Sequence, residues 1–195
     1  MKTMTNGSAG AASRAMAAGW LRAVFAGGAA IALASSLALL PAAAEFQAYP
    51  GAAPSPELEA AVGREEVQIG IDPDEGTVSY AASADGFEDV LAFYLQHGHE
   101  FVMPPMPGLD DNGHDRGLAA EITFGAQGLK AVPTGVRVNQ AFVIFDDAED
   151  ISDSRDWLTI IHPIVFGART GNGMGWHFTP VRTENATAIV RMRRQ

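Results

Sequence analysis

The stretch LQHGHEFVMPPMPGLDDNGHD, residues 95–115, gathers His97, His99, Met103, Met106 and His114 in one run broken by prolines and glycines. Imidazole nitrogen together with thioether sulfur is a donor set that suits copper, so these five residues form the candidate metal site of the chain. Residues two apart on a helix do not face the same way, and His97 and His99 can chelate together only if the preceding helix has ended by Gly98. The alternative for the same run is a polar helix end whose histidines meet the last carbonyls, followed by a proline turn with buried methionines.

Other loci carry weaker chemistry. DPDEG at 72–76, LDDNGHD at 109–115 and DDAEDISDSRD at 146–156 offer the oxygen ligands calcium needs, but none has the sixth-position Gly and twelfth-position Glu of the calcium loop. Acids beside turns commonly cap backbone instead. GARTGNGMGW at 167–176 lacks the third glycine of a dinucleotide fingerprint and the Lys-Ser/Thr of a P-loop, and reads as a hairpin connection. Trp176, His177 and Phe178 after it either line a pocket or re-enter a core. There is no G-x-S-x-G and no H-E-x-x-H, and His162 precedes Pro163 inside an apolar strand pattern. A hydrolase with a carboxylate or histidine site outside these motifs stays open, because such separations are spatial.

The elements that must hold these residues follow a leader. Residues 1–44 carry Lys2, Arg14 and Arg22 and no acid, then an apolar run at 23–40, then a small-x-small pattern at Ala42 and Ala44. This predicts a signal peptide cut after Ala44, with Met1 or Met16 as the start, and a periplasmic or secreted product without a membrane span. A retained anchor is the rival reading, since the apolar run approaches spanning length. With no cysteine there is no disulfide, thiol nucleophile or thiolate metal site. Losing a leader with three basic residues and no acid takes the formal charge from −10 to −13. That surface repels nucleic acid and favours cations or basic partners.

Residues 45–65 read as an extended arm ending in a short helix, with Ser55 as cap, Pro56 at the first helical position and acids in the first turn. Residues 66–195 read as a single α+β domain. EVQIGI, with Val67, Ile69 and Ile71 on one face, and TVSYAA predict a hairpin. Phe87, Val90, Leu91, Tyr94 and Leu95 mark the apolar stripe of the main helix, with Asp85 and Glu88 matching a capping box. AEITFG, NQAFVIFDD, DWLTIIHPIVF and NATAIVRMR predict four further strands, the last with Ala188, Val190 and Met192 toward the core. The expected fold is therefore α+β: a curved antiparallel sheet of about six strands in the order β-β-α-β-β-β-β, packed on one main helix.

YPGA at 49–52, followed by Tyr80, Ser83, Asp85, Phe87, Val90, Phe93 and Tyr94, resembles a pattern in uncharacterised bacterial secreted proteins and lipoproteins. Ser83 stands where similar proteins often have Thr, and the lipid-anchoring cysteine of many of them is absent. The resemblance implies an exported small α+β domain and no particular activity. Together these features favour a non-catalytic domain that binds a ligand or partner and needs no cofactor. The alternatives are periplasmic copper binding through His97, His99, Met103, Met106 and His114, and a hydrolase.

Overall fold

The structure, a computed structural model, describes residues 46–64, 76–172 and 174–194. The signal peptide expected at 1–44 and the strand expected around Val67, Ile69 and Ile71 lie outside the described residues.

The α+β expectation is overturned. Among the described residues the chain forms ten strands and only two helices, each of eight residues. In chain order these are β1 Ala52–Pro54, α1 Pro56–Gly63, β2 Thr77–Ser83, α2 Phe87–Tyr94, β3 His99–Phe101, β4 Asp111–Asn112 and β5 Asp115–Gly125. There follow β6 Gly128–Ile144, β7 Asp156–His162, β8 Ile164–Asn172, β9 Gly175–Glu184 and β10 Thr187–Arg193. All belong to one antiparallel sheet in the order β1-β2-β10-β7-β6-β5-β9-β8, with β3 joined to β6 and β4 to β5.

The helices are short for local reasons. Ser55 accepts from the Leu58 amide at 3.2 Å and starts α1, as its position predicts. In α2 the cap is Gly86, without a side-chain cap bond, so the expected Asp85/Glu88 capping box does not form. Asp85 instead engages Ser83, whose hydroxyl donates to its carboxylate and accepts from its amide. Phe87, Val90, Leu91 and Tyr94 are buried as expected, each stabilising by about 1.5 to 3 kcal/mol. Leu95 falls outside the stripe and is exposed.

Each helix covers a different face. Leu58 and Ala61 of α1 pack with Ile161, Ala188 and Val190, and the same cluster takes in Val165 and Phe166 of β8 and Phe178 of β9. On the opposite face α2 packs on Ala141, Val143, Leu158, Ile160 and Ile189. β10 is thus buried on both sides, Ile189 nearly as deeply as Ala188 and Val190, because α2 covers one face and α1 with β8 and β9 the other. The sheet bends so that β8 and β9 close over the α1 face, instead of curling around a single helix. The arm is pinned as well: Phe46 stacks on Tyr94, and the Arg191 guanidinium lies 3.6 Å from the Phe46 ring centre while gripping Asp156.

Candidate functional site

The run from 95 to 115 does not stay on one element. It crosses the end of α2, β3, a proline loop, β4 and the hairpin into β5, and its candidate ligands meet different partners. His97 is exposed and packs edge-on against Phe93. His99, also exposed, donates from Nε2 to the Ala148 carbonyl at 3.0 Å. His114 is half-buried on Phe87, and its Nε2 donates to Glu100 Oε1 at 2.6 Å. Met103 packs toward Phe142, Ile144, Trp157 and Met192, whereas Met106 packs toward Ala119, Ile122 and Ala131. Among the described residues no three or more His, Asp or Glu side chains gather in a metal-holding group. What is brought together is narrower: Met103 and Met106 line one cavity, and Met103 and His114 line the next.

These cavities, of about 120 and 210 Å³, share Met103, Arg116 and Gln140 in their walls. The smaller is closed by Met106, Leu109, Ile122 and Val138; the larger holds the Glu100–His114 pair. Their loop roof is held by backbone. The Ala131 amide donates to the Pro107 carbonyl at 3.0 Å, and Gly108 takes a left-handed φ of +88°, so close to β6 that a Cβ would lie 1.8 Å from the Ala131 carbonyl oxygen.

Arg116 is the unusual member. Its side chain is only 11% exposed, as is that of Asp111, its neighbour across the β4–β5 pair, and their nearest atoms are 3.5 Å apart. Nη2 donates to the Met103 carbonyl over a long 3.4 Å, and Nε is buried with no hydrogen-bond partner among the described residues. A guanidinium has five donors, and leaving one buried and unmet costs about 1 to 3 kcal/mol. The site therefore combines an under-used cation, its counter-ion and apolar walls with adaptable methionines.

No family model, curated protein or solved structure matches this chain.

Some of the residues that carry the secreted-protein resemblance, Tyr49, Pro50, Gly51, Asp85 and Phe93, meet elsewhere. An open groove of about 460 Å³ is lined by Tyr49, Pro50, Gly51, Asp85, Asp89 and Phe93. Here the Tyr49 amide donates to the Tyr94 hydroxyl, and a Cβ on Gly51 would lie 2.4 Å from the Asp85 carboxylate. The hydrogen bond to Asp85, reinforced by burial and the nearby negative charge, pushes the Tyr49 phenol above its ordinary pKa. The arm forms one wall of this groove and α2 the other. Beside it Thr187, fully buried, donates to the Asp85 carbonyl at 2.7 Å, so its oxygen accepts from His162 Nδ1 at 3.1 Å. His162 is thus a satisfied strand residue with its tautomer set by this network.

The acid-rich segment 146–156 caps backbone. Asp146 accepts from the Ala148 and Arg155 amides and the Ser154 hydroxyl, and Asp150 accepts from Ser152. The glycine loop is mostly strand, with Trp176 paired to Gly171 and Ile122, and Phe178 buried. Trp176 joins the apolar packing, stacked by Arg169, while His177 is exposed on β9.

Sequence reasoning missed Arg116 and its pairing with Asp111, which it weighed only among the acids of LDDNGHD, and it missed Gln140. A usable signal for the first two was present: Gly113 opens a two-residue loop at φ +65°, the glycine position of a tight hairpin, which places Asp111 opposite Arg116.

Proposed function

We propose that this chain is an exported, non-catalytic domain that binds a small ligand in the paired cavities around Arg116. The observation that carries this reading is the buried guanidinium with an unmet Nε beside walls of methionine and aliphatic side chains. Small-molecule sites are mostly apolar concavities with a few placed polar groups, and each cavity here is smaller than the roughly 300 to 1,000 Å³ of drug-sized pockets. A small ligand is the match. Export rests on the leader pattern at 1–44, and the acidic composition disfavours nucleic acid. Among the described residues no helix is long and apolar enough to cross a membrane.

The test is native mass spectrometry of protein taken from a bacterial envelope fraction, beside a Met106→Trp variant that fills the smaller cavity. The expected result is a chain beginning at Glu45 that carries a small adduct, with the adduct lost in the variant. Protein without an adduct, whose Met103 and Met106 methyl signals also ignore a small-fragment library, would overturn the binding reading.

A second reading, hydrolysis, is favoured by one observation: the His114–Glu100 pair lies on the wall of the larger cavity. A histidine bonded to a carboxylate is the arrangement of a general base and its orienting group. Turnover of generic ester or glycoside substrates that disappears in His114→Gln would establish it, and no turnover would remove it.

A further inference from the structure

We infer that the ligand is uncharged and presents a carbonyl oxygen, as an ester, amide or ketone on a short aliphatic body, to the Arg116 guanidinium. The inference rests on the cavity-binding reading above and asks what chemistry the cavity accepts.

The charges in the cavity walls decide it. The cation is Arg116, and Asp111, equally buried and 3.5 Å away, already balances it. Among the described residues the only other ionisable groups lining the two cavities are Glu100 and His114, and these are engaged with each other at 2.6 Å. A ligand carboxylate would enter a low-dielectric site whose positive charge is spoken for, and would face Asp111 at close range. A ligand ammonium would face Arg116. Either like-charge approach is penalised, whereas an uncharged acceptor needs only a spare donor.

Spare donors are what the site has. Nε is unmet, and the two contacts of Nη2, at 3.4 and 3.5 Å, are at the long end of useful geometry. A small swing of a guanidinium held so loosely brings its N–H edge to an entering oxygen. Gln140, which lines both cavities, can add an amide donor. The remaining walls of the smaller cavity, Met106, Leu109, Ile122 and Val138, ask for aliphatic carbon.

The experiment titrates full-length mature protein, labelled at methionine methyl groups, with methyl butyrate, butyrate and butylammonium, which are similar in size and differ in charge. Met103 and Met106 report the site directly. Methyl butyrate is expected to shift both signals saturably and to bind at least about tenfold tighter than either ion. Asp111→Asn keeps the shape of the pair but removes its negative charge, so in this variant butyrate is expected to gain by more than the wild-type margin and overtake the ester. Arg116→Met, where it folds, is expected to lose the ester. Butyrate or butylammonium binding as tightly as the ester to the wild type would overturn the inference while leaving the cavity reading intact. An Asp111→Asn variant with an unchanged order of preference would overturn it likewise. No methionine shift with any probe would sink both.

Discussion

Gly108→Ala tests whether the proline loop truly roofs the cavity. At φ +88° a residue with a Cβ pays about 1 to 2 kcal/mol for the left-handed backbone alone. The added carbon would also sit 1.8 Å from the Ala131 carbonyl oxygen, against an ordinary carbon–oxygen contact of about 3.3 Å. That obstacle is backbone, so no side-chain rotation relieves it, and the segment must lift by roughly 1.5 Å. Lifting breaks the Ala131–Pro107 hydrogen bond, about 0.5 to 1.5 kcal/mol. It also returns Met106 and Leu109 to water; both are half-buried, so each loses about half of the 1.5 to 3 kcal/mol of full burial. Lifting and strain are alternatives, and the variant adopts the cheaper mixture, which puts the loss at about 2 to 4 kcal/mol. For a chain of this size that lowers the melting temperature by roughly 5 to 10 °C. Urea unfolding gives the energy, and the Met103 and Met106 methyl signals give the location. A variant within about 0.5 kcal/mol of wild type, with both signals unmoved, would mean that the loop does not rest on β6 and the cavities have no roof.

Two further variants probe the polar networks outside the cavity. Burial works to raise the pKa of Asp146, but bonds from the Arg155 and Ala148 amides and the Ser154 hydroxyl outweigh it and hold the carboxyl below its ordinary value. A carboxyl depressed in the native state contributes stability that is complete above the unfolded value of about 3.9 and is lost as pH falls through the lower native value. Asp146→Asn is therefore expected to flatten the fall in melting temperature between about pH 5 and 3, and superimposable acid limbs would contradict the assignment. Thr187→Val removes the hydroxyl that serves both His162 and the Asp85 carbonyl, and is expected to cost about 1 to 3 kcal/mol by denaturant unfolding. It should also release His162 from a single tautomer, visible in its nitrogen chemical shifts, and an unchanged spectrum would show that the network does not set that tautomer.

Local signals were legible where one residue decides the outcome. Ser55 and Pro56 open α1, and the burial of Phe87, Val90, Leu91 and Tyr94 follows from their spacing. The fold class was not legible because the missing strands carry no simple alternation. β6 begins through LKAVPTGVRV, where Pro133 and the left-handed Gly135 look like a loop; they are accommodated by register shifts against β5 at Gly117, Ala119 and Glu121. β9 contains Pro180 and scattered charges, yet it pairs along β8 and reaches β5 at Glu121–Thr123. Once these segments extend the sheet, its curvature supplies the second layer that a single helix was expected to supply.

The site was hidden for a related reason. A search of sequence by chemical type finds histidines and methionines because they are rare and clustered, but clustering along the chain is a poor guide when the chain changes element every few residues. Between His97, just past the end of α2, and His114 it crosses β3 and β4 and turns toward β5, so neighbours in sequence acquire unrelated partners. Arg116 drew no notice because one arginine in a stretch without strand periodicity is ordinary; it becomes informative only when Asp111 is its one ion-pair partner among the described residues, Nε is left without an acceptor, and Met103 stands between two cavities. That combination is a cost carried by the folded protein without a visible structural return. A residue buried for packing alone would be better replaced by methionine or leucine, which fill similar volume without an unmet donor. If Arg116→Met together with Asp111→Asn folds with equal or greater stability than the wild type while losing the ester, the charge pair serves binding rather than the fold.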